Sequence, residues 1–405
     1  MSDPKRLSRR KFIGRSIAGI AGAGVLASGS NLAFAQEDAA EKKDNEDIII
    51  RRKLGRTGPV LPIVSMGVMN ASIPNIVALS YEKGIRHFDS ASAYMNGENE
   101  KMVGQVINKL KVRDEVIIST KNLTPRHREG LKPEQYGEKL IKTTNESLKR
   151  LNMDYVDILY YHSVTTAEDA SVPSVKEAFD TLKKEGKIRF SGIASHQGQS
   201  KVLTAAVENG FYDVALVAIN IALAGFPEYM DAIKKAHESG IGLVAMKTQA
   251  GGQWWKYVFD EELKEPNQTA MLKWVLRNEA FATAIPGHTE PAQLDQNWSV
   301  VHSLEYTPAE EEFLGTNELL LGFDFCRQCR GCLASCPNDV DIPTLMRTHM
   351  YAAQYRNFHQ ARYTYDEIPK AKGLSACSDC RSCTAKCAHT VDIAGRIDEL
   401  KLMYA

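Results

Sequence analysis

The sequence has no cysteine in its first 325 residues, and all eight of its cysteines lie between positions 326 and 387. An even number of cysteines often forms a disulfide framework, above all in an exported chain. The body of this chain has no thiol to contribute, so disulfides across it are excluded.

An excess of charge of either sign is also missing, because 50 Lys and Arg residues balance 50 Asp and Glu residues. Removal of residues 1–35 would take away six basic side chains and one acidic side chain, leaving 44 against 49 and a formal charge of −5. No basic run and no basic patch interleaved with aromatics remains, and nucleic acids bind through such patches. We therefore expect no nucleic acid among the partners.

A strongly apolar run that would make a good permanent membrane span is absent too. The stretch at residues 16–35 is diluted by glycine and serine. It follows the twin arginine Arg9-Arg10 and ends in Ala33-Phe34-Ala35, a small-x-small cleavage signal. Residues 1–35 thus resemble a twin-arginine (Tat) signal peptide, which predicts passage through the Tat translocase as a folded protein and a periplasmic or other extracytoplasmic location. An uncleaved membrane anchor is the alternative.

Three regions are predicted beyond the signal peptide. Residues 36–50 are expected to be a disordered linker, because positions 37–47 (EDAAEKKDNED) are charged and poor in apolar side chains. Residues 51–315 have nearly the typical length of a (β/α)8 barrel. Residues 316–405 contain the cysteines, and their apolar side chains recur at helical spacing.

The cysteines form two runs with the spacing C-x2-C-x2-C-x3-C, which is typical of [4Fe–4S] cluster binding. In two-cluster proteins the fourth cysteine of a run ligates the other cluster. We therefore expect two quartets: Cys326, Cys329, Cys332 and Cys387 for one cluster, and Cys377, Cys380, Cys383 and Cys336 for the other. Zinc fits less well, since it takes four ligands, usually as two separated pairs. The clusters either relay electrons or fold the segment around them.

Residues 51–315 alternate between short apolar runs and helical patterns, which favours an α/β fold with a closed parallel barrel and helices outside it. Eight runs are predicted to be the barrel strands: IVSMG (63–67), IRHFD (85–89), VIIST (116–120), VDILYY (156–161), IRFSGIA (188–194), VALVAIN (214–220), GLVAM (242–246) and ATAIP (282–286). An open doubly wound sheet is the alternative, but no G-x-G-x-x-G motif follows the first strand.

Four polar residues fall at the carboxyl ends of these strands, where the chemistry of barrel enzymes is located. Asp89, Lys121 and His162 close the second, third and fourth strands, and Tyr94 lies in the loop after Asp89. A Lys ammonium beside a phenol lowers the pKa of the phenol, which would make Tyr94 a proton donor to a carbonyl oxygen. His162 could orient or polarise the same oxygen. Singly, each residue could equally be a helix cap or a surface side chain.

These residues carry a resemblance to the aldo-keto reductase family, across roughly residues 50–302. RKLGRTG (52–58) resembles the opening hairpin of that family, and FDSASAYMNGENEKMVG (88–104) resembles its strand-two signature. Three more segments match in the same order: LNMDYVDILYYH (151–162), KKEGKIRFSGIASH (183–196) and IPGHTEPAQLDQN (285–297). The resemblance implies a catalytic tetrad of Asp89, Tyr94, Lys121 and His162. The C-terminal region resembles the helical two-cluster module of one branch of the family.

The resemblance also implies a nicotinamide nucleotide, NADP(H). Its contacts would come from eight residues: Ser195, His196, Asn220, Gly287, His288, Thr289, Gln293 and Asn297. The match is weaker here, because His196 replaces a usual Asn, Met246 replaces a stacking Tyr, and Gly287 and Gln293 stand where Lys and Arg grip the 2′-phosphate. The helix starting near Thr289 still offers N–H groups to a phosphate.

The resulting expectation is an exported oxidoreductase that interconverts a carbonyl and an alcohol of a small-molecule substrate. The alternative is an electron-transfer protein that meets a redox partner protein through its clusters, with the barrel as a docking scaffold. Chain order predicts that the cluster module caps the barrel mouth, because the segment after the last barrel helix covers the mouth in barrel reductases.

Overall fold

The computed structural model describes residues 48–223, 226–250, 267–315, 326–377, 380 and 382–404. The predicted signal peptide and positions 36–47 of the predicted linker lie outside the described residues. The end of that linker differs from the expectation. Ile49 and Ile50 pack against the barrel core, and Ile50 forms backbone hydrogen bonds with Val301 and Ile63. Two apolar side chains beside a strand favour this ordered edge over a disordered tail.

A two-stranded antiparallel hairpin precedes an eight-stranded parallel sheet whose order follows the sequence. The hairpin strands are β1 (Arg51–Lys53) and β2 (Val60–Pro62). The sheet strands are β3 (Met66–Gly67), β4 (His87–Asp89), β5 (Ile117–Asn122), β6 (Val156–Tyr161), β7 (Ile188–Ser195), β8 (Val214–Ala218), β9 (Gly242–Met246) and β10 (Phe281–Ala284). Hydrogen bonds from Ser65 N to Ala284 O and from Ala284 N to Ile63 O close the ring. The predicted barrel is confirmed.

Helices surround the strands in the order that the sequence pattern predicts. In the barrel region they are α1 (Pro74–Lys83), α2 (Glu98–Leu110), α3 (Pro125–Arg128), α4 (Tyr136–Leu151), α5 (Ala167–Ala170), α6 (Pro173–Lys184), α7 (Gln199–Asn209), α8 (Pro227–Glu238), α9 (Gln268–Leu276), α10 (Pro291–Ser299) and α11 (Pro308–Gly315). The C-terminal region contains α12 (Ile342–His349), a π-helical turn (Met350–Gln354), α13 (Phe358–Asp366) and α14 (Ile393–Tyr404).

The alternation of side chains along β6 shows why these runs make a barrel. Ile158 and Tyr160 belong to the cluster that fills the barrel interior, whereas Leu159 and Tyr161 belong to the layer between strands and helices. Both faces of β6 are therefore apolar, as expected for a strand of a parallel sheet covered by helices. At the carboxyl ends of β4 and β5, by contrast, the buried side chains are polar and include Asp89, Lys121 and Asn122.

The opening hairpin occupies the amino-terminal end of the barrel. Leu54 lies in the interior cluster, and a side chain added at Gly55 would meet the backbone of Gly242 at the start of β9. The Arg52 guanidinium donates to the backbone oxygens of Leu276 and Phe281 at 2.7 and 2.8 Å. Because the hairpin closes this end, a ligand has access from the opposite end.

The C-terminal module packs on the carboxyl end, as chain order predicts. Thr124 and Tyr363 share a hydrogen bond of 3.0 Å, and the Asn357 amide donates to Asn70 at 2.9 Å. The Gln197 amide donates to the Thr344 hydroxyl at 3.4 Å. Residues Asp47–Ala405 form one compact unit, and the boundary predicted at 315/316 falls beside positions outside the described residues. No helix in the described part of the chain is long and apolar enough to cross a membrane.

Candidate active site and cluster sites

Asp89, Lys121 and Tyr94 meet at the mouth of the barrel. Strands β4 and β5 place Asp89 beside Ser119, so that Lys121, two residues further on, reaches back to Asp89. The Lys121 ammonium donates to the Asp89 carboxylate, to the Ser90 backbone oxygen at 2.6 Å and to the Tyr94 hydroxyl at 3.2 Å. The structure therefore brings together three of the four residues that the resemblance implied.

The Lys121–Asp89 pair lies almost completely inside the protein, with each residue 1% exposed. Burial lowers the pKa of Lys121, and the neighbouring Asp89 opposes that shift. The second carboxylate oxygen of Asp89 accepts a hydrogen bond of 2.6 Å from the Ser119 hydroxyl. A buried ion pair with its remaining lone pairs satisfied is held in one geometry, which suits a positioning role.

The electrostatics of Tyr94 differ from the sequence expectation. Burial, followed by the charges of Asp89 and Tyr351, raises the pKa of Tyr94 well above its ordinary value. The expected decrease is therefore wrong for the resting site, because desolvation of a phenolate outweighs the nearby ammonium. The phenol is consequently protonated at neutral pH and holds the proton that an acid catalyst must give.

His162 lies one residue beyond β6, and its backbone N–H donates to Asn122 O at 3.0 Å. Strand alternation from Ile158 and Tyr160 directs its side chain toward the barrel interior. Burial and the neighbouring Lys121 lower the pKa of His162 well below its ordinary value, so the ring is neutral. Its Nδ1 atom has no hydrogen-bond partner among the described residues. A buried neutral imidazole at the mouth can orient a substrate without adding charge.

A supporting network escaped the sequence analysis. Glu100, fully buried on α2, accepts hydrogen bonds of 2.5 Å from the Thr120 hydroxyl and 2.6 Å from Arg150 on α4. It thus anchors the backbone next to Lys121. Asn99 accepts from Ser90 at 2.8 Å and fixes the loop that follows Asp89. The sequence did carry a signal for this network. Asn99 and Glu100 are polar, yet they lie on the buried face of α2 together with the apolar side chains of Met102, Val103 and Val106.

A cavity of about 670 Å³ opens at this mouth and extends from Tyr94 along the end of β9 to the start of α10. Its volume lies within the usual range for small-molecule sites. Five of the residues predicted for the nucleotide line it: His196, Gly287, Thr289, Gln293 and Asn297. The π-helical turn and the residues after it, up to His359, form the wall contributed by the C-terminal module.

The other three predicted nucleotide residues are engaged elsewhere. The Ser195 hydroxyl donates to Gln197 O at 2.9 Å. Asn220 donates to Lys247 O at 3.0 Å and accepts from the Ala222 N–H at 3.1 Å. His288 is buried and bonded to Ser80 at 2.9 Å. These side chains hold loops in place in this structure, and their assignment to a nucleotide stays a prediction.

The expected phosphate position at α10 also has internal partners. The Thr289 N–H, which was expected to face a phosphate, donates to the Gln293 side chain at 2.9 Å. Gln249 donates to Asn297 at 2.8 Å. The cavity therefore has room for a nucleotide-sized ligand, and five of the eight residues that the sequence predicted for the nucleotide line it.

The first predicted quartet of cysteines lines one site, and the members of the second influence one another electrostatically. A small cavity is lined by Cys326, Cys329, Cys332 and Cys387. The charges that raise the pKa of Cys377 after burial include those of Cys336, Cys380 and Cys383. Three donors reach the sulfurs: Gln328 to Cys326, Asn338 to Cys380 and the His389 N–H to Cys387, at 3.2 to 3.3 Å.

The donor chemistry of these quartets fits iron–sulfur clusters. Burial raises the pKa of Cys326 to about 12 and that of Cys332 to about 11. Four thiolates crowded together repel one another, and iron supplies the compensating charge. Within the described residues no three donor side chains converge on a point that would suit one metal ion. A cube, in which each thiolate binds a different iron atom, needs no such convergence.

Comparison with known proteins agrees with this architecture. The model of the aldo/keto reductase family matches residues 68–270, and that of a 4Fe-4S dicluster domain matches residues 319–388. L-galactose dehydrogenase of Arabidopsis thaliana is 26% identical over 306 residues, 67% of this chain and 93% of that protein. D-threo-aldose 1-dehydrogenase of a Pseudomonas species is 25% identical over 268 residues, 55% of this chain and 80% of that protein.

Among solved structures, the holo form of an aldo-keto reductase from Bacillus halodurans has a TM-score of 0.54 at 22% identity, over 66% of this chain and 95% of that one. This likeness supports the barrel fold. The family match covers about half of the sequence and the barrel has the expected strand order. The chain therefore belongs to the aldo/keto reductase family, as an oxidoreductase with a C-terminal 4Fe-4S dicluster domain.

Proposed function

We propose that this protein interconverts a carbonyl and an alcohol on a small molecule, with Tyr94 as the proton donor. One observation carries the proposal: a single buried ammonium, that of Lys121, contacts both the Asp89 carboxylate and the Tyr94 hydroxyl at 3.2 Å. The hydroxyl lines the cavity at the barrel mouth. This arrangement places an acid where a carbonyl oxygen can reach it.

In the reductive direction Tyr94 gives its proton to the substrate oxygen. The phenolate left behind is stabilised by Lys121, whose own charge is held in place by Asp89. The raised pKa of Tyr94 keeps the acid protonated before reaction and returns it to that state afterwards. A nicotinamide, when bound, would supply the hydride equivalent, whereas the clusters, when bound, move single electrons.

His162 positions the substrate. Its ring is neutral and lies beside His196 of the cavity wall, with 6.2 Å between the ring centroids, so it acts on the substrate from behind that wall. A cationic ring at this place would compete with Lys121 for the phenolate. The neutral form therefore leaves the stabilisation of the reacting oxygen to Lys121.

The substitution Tyr94→Phe tests this proposal. It should lower kcat for carbonyl reduction by about 100-fold or more, the usual size of a general-acid contribution. Turnover is measured anaerobically on iron-loaded protein, with NADPH and with a chemical one-electron donor in parallel, and the alcohol product is quantified by mass spectrometry. Tyr81→Phe is the control, because the Tyr81 hydroxyl lies on the surface and bonds Glu115. Unchanged turnover in Tyr94→Phe would refute the proposal.

We propose that the two quartets hold two [4Fe–4S] clusters, so that the protein contains about eight iron atoms per chain. Iron and acid-labile sulfide are counted after anaerobic purification. The nucleotide or flavin released on denaturation is identified in the same sample, which tests the NADP(H) that the family typically uses. Four iron atoms per chain, or zinc in place of iron, would contradict this assignment.

A second candidate function is electron transfer through the clusters with the barrel as a scaffold. The internal hydrogen bonds of Ser195, Asn220 and His288 favour it, because they engage three side chains that the sequence predicted for the nucleotide. In that case Tyr94→Phe would leave electron transfer to a redox partner unchanged and no carbonyl would be reduced.

Export by the Tat route belongs to the same proposal and rests on the sequence of residues 1–35. Clusters inserted in the reducing cytoplasm would then be carried out inside a folded protein. Replacement of Arg9-Arg10 by Lys-Lys, followed by cell fractionation, tests this route. Protein that still reaches the extracytoplasmic fraction would argue against it.

A further inference from the structure

The cavity at the barrel mouth contains a second lysine without an acidic partner. Lys247, in the first position after β9, lines the same cavity as Tyr94. It forms no ion pair with a carboxylate in the described part of the chain. Its ammonium lies 4.5 and 4.9 Å from the ring centroids of Tyr351 and Tyr355, two residues of the C-terminal module. Burial lowers the pKa of Lys247, and a hydrogen bond with Tyr355 opposes that shift.

The next residue offers a hydrogen-bond donor at the same place. Thr248 is 2% exposed, and its hydroxyl has no partner among the described residues. It lines the cavity together with Lys247. A buried hydroxyl without a partner is costly, so it is a position at which a bound ligand gains a hydrogen bond. This observation is independent of the charge of Lys247.

The charge balance around the cavity is positive. Asp89 is the one acidic side chain among the described residues that line it, and Lys121 already neutralises that carboxylate. Arg356 adds an exposed cation at the rim. After burial, Arg347 and Lys247 are the largest influences that lower the pKa of His196 at the cavity wall. The field in the cavity therefore favours an anionic ligand.

We propose that Lys247 and Thr248 form an anion subsite, so that the substrate is a carbonyl compound that carries a carboxylate. This inference rests on the proposed function, because the carbonyl must lie at Tyr94 while the carboxylate binds the Lys247 ammonium and the Thr248 hydroxyl. Lys247 and Tyr94 line the same cavity, and the Tyr351 ring that contacts the Lys247 ammonium is also among the groups that raise the pKa of Tyr94. The two ends of one small molecule can thus be bound together.

The position of Lys247 separates this subsite from the predicted phosphate segment. The Lys247 ammonium faces the rings of Tyr351 and Tyr355 in the C-terminal module. Thr289 and Gln293, where the sequence placed the nucleotide phosphate, bond each other at the start of α10. Lys247 could instead bind a nucleotide phosphate. The experiment below distinguishes a bound phosphate from a bound substrate carboxylate.

The test compares acids with their neutral esters on the iron-loaded protein under anaerobic conditions. The probes are pyruvate, 2-oxobutyrate and 2-oxoglutarate, each against its methyl ester, and binding is measured by ligand-observed NMR. We expect at least one acid to bind about 10- to 100-fold more tightly than its ester, the range for one hydrogen bond to a charged group. Lys247→Met should abolish that preference, and Lys247→Arg should retain most of it.

Controls separate this inference from the proposed function. Lys234→Met changes an exposed lysine and should leave the preference intact. Iron content and thermal midpoint should match in all variants, which excludes misfolding as the cause. Tyr94→Phe should keep the acid preference while turnover is lost. If the acid preference is present but turnover does not depend on Tyr94, the proposed function fails and the anion subsite stands.

Three results would overturn the inference. Equal binding of every acid and its ester would show that no anion subsite exists. A preference that survives in Lys247→Met would place it elsewhere. If Lys247→Met weakens the binding of NADPH but leaves the binding of the acids unchanged, then Lys247 binds the nucleotide and not the substrate.

Discussion

At the residue scale, the site depends on the buried ion pair between Lys121 and Asp89. Burial of such a pair requires desolvation free energy, and removal of one partner destabilises the folded state. Lys121 and Asp89 are each 1% exposed, and both contact groups next to Tyr94. Two opposite charges inside a protein contribute little net stability, but removal of one partner leaves the other uncompensated. The pair is thus explained by the position it gives to Tyr94, because stability alone would be served as well by apolar side chains.

Lys121→Met should lower the free energy of unfolding by about 3–5 kcal/mol, the usual cost of breaking a buried ion pair. It should also lower turnover, because the Tyr94 phenolate would lose its stabilising cation. Chemical denaturation followed by far-UV circular dichroism measures the first effect. The double variant Asp89→Asn, Lys121→Met should recover much of the stability but none of the activity. A single variant as stable as the parent would show that the pair is not buried in solution.

The sequence predicted which side chains would meet at the barrel mouth, because parallel strands bring their carboxyl ends to one edge. It did not predict the sign of the Tyr94 pKa shift, since burial depends on the module that covers the mouth. It also did not predict the internal hydrogen bonds of Ser195, Asn220 and His288. Their hydrogen bonds follow from loop paths that no local pattern in the sequence encodes.

At the scale of elements, each of the eight predicted runs overlaps a barrel strand, and the residues of β6 and β9 agree completely with the prediction. Apolar runs of β-branched residues between helical patterns are a strong signal. The π-helical turn at Met350–Gln354 was not predicted. It continues α12 without a break in apolar spacing, and its extra residue per turn leaves no mark in the sequence.

Helices α2 and α4 pack closely because one position has no side chain. A Cβ added at Gly104 would lie 2.0 Å from the backbone oxygen of Leu151. Gly104→Ala should therefore destabilise the barrel by about 1–3 kcal/mol or more through overpacking, even though alanine favours a helix. The thermal midpoint measures the loss. Gly315→Ala is the matched control, since a Cβ there meets nothing within 4 Å. Equal midpoints for the two variants would contradict the close contact between the helices.

At the scale of the whole molecule, the cysteine quartets and the barrel mouth are parts of one compact unit. The apolar core of the C-terminal module, which includes Val340, Leu345 and Ile397, packs against five of the cysteines. Other apolar residues of the module, among them Met350 and Tyr351, share a cluster with Ile221 and Met271 of the barrel. The state of the clusters should therefore influence the wall of the catalytic cavity.

Removal of iron by a chelator under reducing conditions should unfold the module and leave the barrel folded. Limited proteolysis should then cut within residues 340–404, while a fragment that contains residues 51–315 survives. The reason is that the module has a small core of its own and gains folding energy from its metal. A module that stays resistant to protease after iron is lost would show that the clusters do not hold the fold together.

We propose above that a protonated, partly buried phenol beside Lys121, that of Tyr94, is the acid at the barrel mouth. The most direct test is a pH titration of the Tyr94 Cζ resonance in protein labelled with 13C at that atom, assigned by comparison with Tyr94→Phe. Burial raises the pKa of Tyr94, so the protonated form persists as the pH rises through the ordinary tyrosine value near 10. We therefore expect no change in the Tyr94 Cζ resonance between pH 6 and about 10. An inflection below about pH 9 would show that Lys121 outweighs burial, and would contradict the account.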